Sequence, residues 1–197
     1  LATFPSERTE KVFRTSGTSS HRRGELHLDT LAPYEASLLA TLEHLYLPDV
    51  TGRMRMRVLA PSPEEAPDSS LSHMFGCLLD ARGAEGSGYD VRDGALDGEA
   101  LQSALAQAQA RGEPVALLGT AFAFVHWLDA TPGRALPPLP PGSRAMETGG
   151  FKGRSREVSR EALHAAIAAK LGLPRTHVVN QYGMTELGSQ FYDASIA

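Results

Sequence analysis

One cysteine and one tryptophan are all that the 197 residues hold of either type. With Cys77 alone, no intramolecular disulfide can form, and a reducing cytoplasmic compartment is the expectation. Positive charge is not in excess either: 19 Lys and Arg stand against 23 Asp and Glu, a formal net charge of -4, which removes the electrostatic case for nucleic acid. No apolar run is long enough to span a bilayer, and the opening "LATFPSERTEK" has neither the basic lead nor the apolar stretch of a signal peptide. No G-x-S-x-G elbow and no internal repeat occur, so a serine hydrolase lacks its usual signature and a solenoid lacks its period. What is there, 42% hydrophobic and 21% charged residues, fits one globular domain with a real core.

The pattern along the chain predicts an α/β fold. Val12 and Phe13 lead into a hydroxyl-rich loop and then the alternating "ELHLD", a strand, loop and strand. Leu38, Leu39, Leu42, Leu45 and Tyr46 recur at helical spacing between Pro33, suited to a first turn, and Pro48, which ends the run. "RMRMRVLAP" alternates as a half-buried strand does, and "SPEEAPDSS" is a polar loop. The helices "SSLSHMFGCLLDAR" and "GEALQSALAQAQAR" stop at Gly83 and Gly112, and the second feeds the apolar strand "PVALLG". A loop and helix follow in "GTAFAFVHWLDATPG", then the proline-rich "RALPPLPPGS" as a surface loop. A strand "RAMETGG", a helix from Ser159 to Gly172 and an apolar strand "THVV" complete the run. Helices alternating with buried strands imply a mostly parallel sheet with flanking helices.

Two stretches carry candidate chemistry. "TSGTSS", Thr15 to Ser20, sets hydroxyls and a glycine directly after an apolar strand, where successive N–H groups and side-chain donors can surround a phosphate; a solvated Ser/Thr turn has the same composition. It is no Walker loop, because the lysine is missing. "NQYGMTELGSQFY", Asn180 to Tyr192, brings together an aromatic ring at Tyr182, a sharp turn at Gly183, a hydroxyl at Thr185 and a carboxylate at Glu186. A carboxylate beside phosphate oxygens is a common Mg2+ anchor, and a helix cap by Thr185 is the structural alternative.

These two stretches, with "METGGFKG" between them, resemble the adenylate-forming ligase superfamily, and most closely its acyl-protein synthetase family, the fatty-acid-activating component of bacterial luciferase systems. The resemblance implies that Ser16, Gly17, Thr18 and Ser19 clasp the phosphates of ATP, and that Gly149, Gly150 and Phe151 belong to the adenine and acyl pocket. It implies that Tyr182 stacks on the adenine with Gly183 also at the nucleotide, that Thr185 contacts the α-phosphate, and that Glu186 binds Mg2+. The family loop ends in Gly where this chain has Ser20. A ribose-binding Asp, a hinge and a small lid domain follow the Tyr-Gly-Met-Thr-Glu loop in the family. The resemblance therefore implies that residues 1–197 are the central part of the large N-terminal domain of a longer enzyme. Its substrates would be a long-chain fatty acid and ATP, and its acceptor a thiol on a reductase; an aryl or acyl coenzyme A ligase and a non-catalytic nucleotide-binding domain are the alternatives.

Other residues read as structural. Cys77, in apolar "MFGCLLD", is expected to be a buried small hydrophobe, and His73 and His126 to be packed helix histidines. His21 and His27 do not have a metal-ligand spacing. Phe122, Phe124, Val125, Trp127 and Leu128 suit sheet cover or an acyl-tunnel wall, and Lys152 and Arg154 suit phosphate or solvent.

Overall fold

In the computed structural model, residues 3–15, 23–131, 136–149, 158–185, 188–193 and 196 are described. A short antiparallel pair, β1 (Lys11–Arg14) and β2 (Glu25–Leu28), precedes α1 (Ala32–Leu45), β3 (Arg55–Leu59) and α2 (Ser70–Arg82). Next come β4 (Gly88–Tyr89), the hairpin β5 (Val91–Arg92) and β6 (Ala95–Leu96), α3 (Gly98–Arg111), β7 (Val115–Thr120) and α4 (Ala121–Ala130). Strand β8 (Arg144–Thr148), α5 (Arg160–Leu171), β9 (Val178–Gly183) and β10 (Gln190–Tyr192) close the order. The main sheet runs β10-β9-β8-β7-β3-β4, parallel except for the antiparallel edge strand β10.

Helices begin and end where side chains satisfy the backbone. The hydroxyls of Ser69, Thr120 and Ser159 and the carboxylate of Asp97 each accept from the N–H three residues on, opening α2, α4, α5 and α3. Gly112 and Gly172 close α3 and α5 in the left-handed region, φ 64° and 67°.

Alternation along the strands then sorts two cores. Leu59, Leu117, Ala145 and Val178 face α3, α4 and α5, among them the fully buried Phe124 and Trp127. Met56, Val58, Leu118, Met146 and Val179 face α1 and α2, where Leu38, Leu42, Phe75 and Leu78 cover them. Helices thus cover both faces, as a parallel sheet requires. Arg144, 1% exposed, ties the start of β8 to the end of α1 through the Tyr46 carbonyl at 2.8 Å and the Asp49 carboxylate at 2.7 and 2.8 Å.

The expected elements are present with three differences. First, β3 is not half-buried: it is an interior strand between β7 and β4, and its arginines are accommodated by ion pairs, Arg55 with Glu113 at 3.1 Å and Arg57 with Asp90. Burial raises the Asp90 carboxyl above its usual range even beside Arg57. Second, no loop separates β7 from α4, because Thr120 ends the strand and caps the helix. Third, β4, the β5–β6 hairpin and β10 are too short to show periodicity in the sequence. Among the described residues, no helix is long and apolar enough to cross a membrane.

Candidate functional site

The chain path reverses direction across the sheet at one place. From β3 it passes through α2 to β4 on one side, and then through α3 to β7 on the other. Ligands in open α/β sheets occupy the crevice outside the carboxyl ends of the strands at such a reversal. A cleft of about 320 Å³ lies there, lined by Ala60 and Pro61 after β3, Thr120 at the end of β7, Thr148 and Gly149 at the end of β8, and Gln181 and Gly183 of β9.

Two helices start at this cleft. Ser69, the cap of α2, and Ser70, Leu71 and Ser72 of its first turn form one wall, and Thr120, the cap of α4, with Phe122 forms another. First-turn N–H groups and the positive end of each helix favour an anion between them. Arg14 supplies the only charged side chain among the described lining residues, and it is held by Glu25 at 2.9 Å. The same hydrogen bond lowers the Glu25 carboxyl below its usual range.

Neutral hydrogen-bonding side chains make the floor and the far wall. Thr148 donates to the Gln181 amide oxygen, and both residues are buried. Gly183 lies beside Gln181, and a Cβ there would lie 2.8 Å from the end of the Gln181 side chain, which would have to shift. Thr185 and Ser70 share a hydrogen bond of 3.3 Å. Tyr34 accepts from Gln190 at 3.3 Å, and burial first, with the neighbouring Cys77 second, pushes its phenol up to about 12, so it remains a protonated donor.

Of the residues expected at a nucleotide site, Gly149, Gly183 and Thr185 meet on this cleft. Gly149 turns the chain out of β8 with φ 76°. Tyr182 is not among the lining residues: it points to the opposite sheet face, half exposed, with its hydroxyl donating to the Met184 sulfur at 2.8 Å. Ser16, Gly17, Thr18, Ser19, Ser20, His21, Gly150, Phe151, Lys152, Arg154 and Glu186 lie outside the described residues. Of the apolar group on α4, Phe124, Val125 and Trp127 are core, whereas Phe122 lines the cleft.

His126 is not packed inside: it is exposed on α4 and stacks on Phe122, with ring centroids 6.2 Å apart. Cys77 is only half-buried, and it and His73 both meet Glu35. The sequence reading also missed Tyr34, Ser70, Thr148 and Gln181. For the last two the signal was present, since a polar residue at the carboxyl end of an apolar parallel strand faces the ligand crevice. Beneath the floor, Glu147 accepts from Asn180 at 2.7 Å and pairs with His164 at 3.1 Å, all three buried, which fixes β9 against β8 and α5.

A second cavity, about 500 Å³, opens at the other end of the strands. Of its four arginines, Arg55 pairs with Glu113 and Arg144 with Asp49, while Arg53 donates to the Gly83 and Asp80 carbonyls.

No protein-family model matches the chain, and no curated protein matches it. Among solved structures, an open conformation of 2-hydroxyisobutyryl-CoA ligase in complex with 2-HIB-AMP and CoA matches with a TM-score of 0.58 and 14% identity, over 94% of this chain. The fold is that of part of an adenylate-forming ligase. The chain spans 38% of that ligase's length. Coronafacic acid ligase from Pectobacterium brasiliense matches at a TM-score of 0.49 with 17% identity, over 81% of this chain and 28% of that one. The cleft at the reversal of strand order is where Gly149, Gly183 and Thr185 converge.

Proposed function

We propose that the chain is the central part of the large domain of an enzyme that activates a carboxylic acid with ATP. The observation that carries this reading is the cleft at the strand reversal, where the first turns of α2 and α4 both contribute to a lining with no carboxylate among its described residues. Such a lining fits a polyphosphate. The acid's carboxylate oxygen attacks the α-phosphorus, the bond to the β-phosphate oxygen breaks, and pyrophosphate leaves with an acyl adenylate formed.

In this reading the helix N-termini, with Ser70, Thr120 and Thr185, hold phosphate oxygens in place, and catalysis is positioning and charge stabilisation. Ser16, Gly17, Thr18 and Ser19 clasp the outer phosphates, and Gly149, Gly150, Phe151 and Gly183 border the adenylate. Mg2+, when bound, neutralises phosphate charge, and Glu186 is its protein ligand. Phe122, Leu71 and Met74 give the cleft an apolar side suited to an acyl chain.

For the second half-reaction the motif resemblance favours a protein thiol as acceptor and a long-chain fatty acid as substrate: the thiolate attacks the acyl carbonyl and AMP leaves. A second reading, coenzyme A as acceptor, is favoured by the fold match to a ligase bound to CoA.

Calorimetric titration with two non-hydrolysable acyl adenylate mimics, one long-chain and one aryl, tests the proposal, because such mimics approach the transition state more closely than the free acid does. We expect binding of the long-chain mimic with the greater affinity, and loss of Mg2+-dependent ATP binding in Glu186→Ala. Preference for the aryl mimic would favour the coenzyme A reading, and no heat with either on the folded chain would overturn the activation reading.

A further inference from the structure

Glu35 on α1 and His73 and Cys77 on α2 converge outside the cleft. Glu35 Oε1 lies 2.9 Å from His73 Nε2 and 3.7 Å from Cys77 Sγ, and the three donor atoms all lie within 4.8 Å of one another. His73 and Cys77 are one helical turn apart, so they project from the same face of α2, and Glu35 reaches them from the neighbouring helix. We propose that these three side chains bind a divalent transition metal of the Zn2+ class, which clamps α1 to α2 beside the cleft.

Spacing supports this assignment. A tetrahedral ion with bonds of about 2.0 Å to nitrogen and oxygen and about 2.3 Å to sulfur holds its ligand atoms roughly 3.3 to 3.6 Å apart. The Glu35 to Cys77 separation, 3.7 Å, is slightly wider than this, and the Glu35 to His73 pair, 2.9 Å, needs to open by a few tenths of an ångström. Charge supports it too. The only ion pair Glu35 makes is with His73, so neither Lys nor Arg neutralises it among the described residues, and Asp80 adds a further negative charge near Cys77. A metal ion would replace the thiol proton and satisfy the carboxylate at once.

Thiolate with imidazole selects Zn2+ or Co2+ over Mg2+ and Ca2+, which take oxygen ligands. Glu35 is 38% exposed, leaving a solvent path for entry and for a water as fourth ligand. The ring of His73 also packs against Phe13 and Tyr34, at centroid distances of 5.2 and 6.0 Å. Phe13 lies on β1 and Tyr34 lines the cleft, so the clamp would hold the wall that carries Tyr34 and Ser70.

The test is Co2+ titration of the whole, chelator-dialysed chain, followed by the thiolate-to-cobalt charge-transfer absorption. Because Cys77 is the only cysteine, that band reports this residue alone. We expect it to saturate at one ion per monomeric chain, to be displaced by Zn2+ but not by Mg2+, and to need about tenfold or more higher Co2+ in Glu35→Gln and His73→Gln. Circular dichroism of each variant checks its folding, and either folded variant suffices. Absence of the band at one equivalent of Co2+ with the folded parent chain, or unchanged affinity in a folded variant, would overturn the proposal.

Discussion

Thr148 and Gln181 show at the residue scale why the cleft floor is polar yet dry of charge. Each is almost fully buried, and each supplies what the other lacks, a donor hydroxyl to an amide oxygen. Thr148→Val leaves that oxygen without its donor and should destabilise the chain by about 1 to 3 kcal/mol in urea unfolding. Gln181→Leu added to it should cost less than the sum of the two single changes, because the orphaned acceptor is gone; strict additivity would contradict the pairing. Residues of this kind were partly legible: Gly149, Gly183 and Thr185 stand out in the sequence through the motifs around them, and all three line the cleft. Tyr34, Ser70 and the cluster of Glu35, His73 and Cys77 were not legible. Each depends on how α1 packs beside α2, a long-range contact that no local pattern encodes.

At the scale of elements, the cleft depends on how closely β3 and β7 approach where the strand order reverses. Gly119 on β7 pairs with Leu59 on β3, and a Cβ added at Gly119 would lie 2.7 Å from the Leu59 Cβ and 3.1 Å from its carbonyl oxygen. Neither atom is the end of a flexible side chain, so the strands themselves must part. Gly119→Ala should therefore cost roughly 1 to 3 kcal/mol in stability, the range for overpacking a filled core. Gly98→Ala, at the open first position of α3 with nothing within 4 Å, should be neutral or slightly stabilising. Equal effects of the two, measured by thermal unfolding, would refute this account of Gly119. Helix limits were the most legible elements because caps are local chemistry: Ser159 and Gly172 bound α5 as the sequence suggests. The alternation of Arg with Met in β3 mimics a solvent face and so predicts a half-buried strand. Arg55 and Arg57 instead bury their stems and pair with Glu113 and Asp90, which are far apart from them in sequence.

At the scale of the whole molecule, alternating helices and apolar strands were enough to predict the parallel sheet, since burial on both faces leaves that signature. The strand order was beyond the sequence, and the order is what locates the site, because the reversal between β3 and β7 sets the crevice at the carboxyl ends. Both ends of the sheet carry cavities, so the central claim is that ligand enters at the end where α2 and α4 begin. Backbone amide NMR of the whole chain, titrated with a long-chain acyl adenylate mimic, tests that claim most directly. The account predicts that the largest shift changes fall on Ser70, Leu71, Ala121, Phe122, Gly149 and Thr185. Changes centred instead on Thr51, Arg53, Arg55 and Arg111, at the other end of the strands, would contradict it.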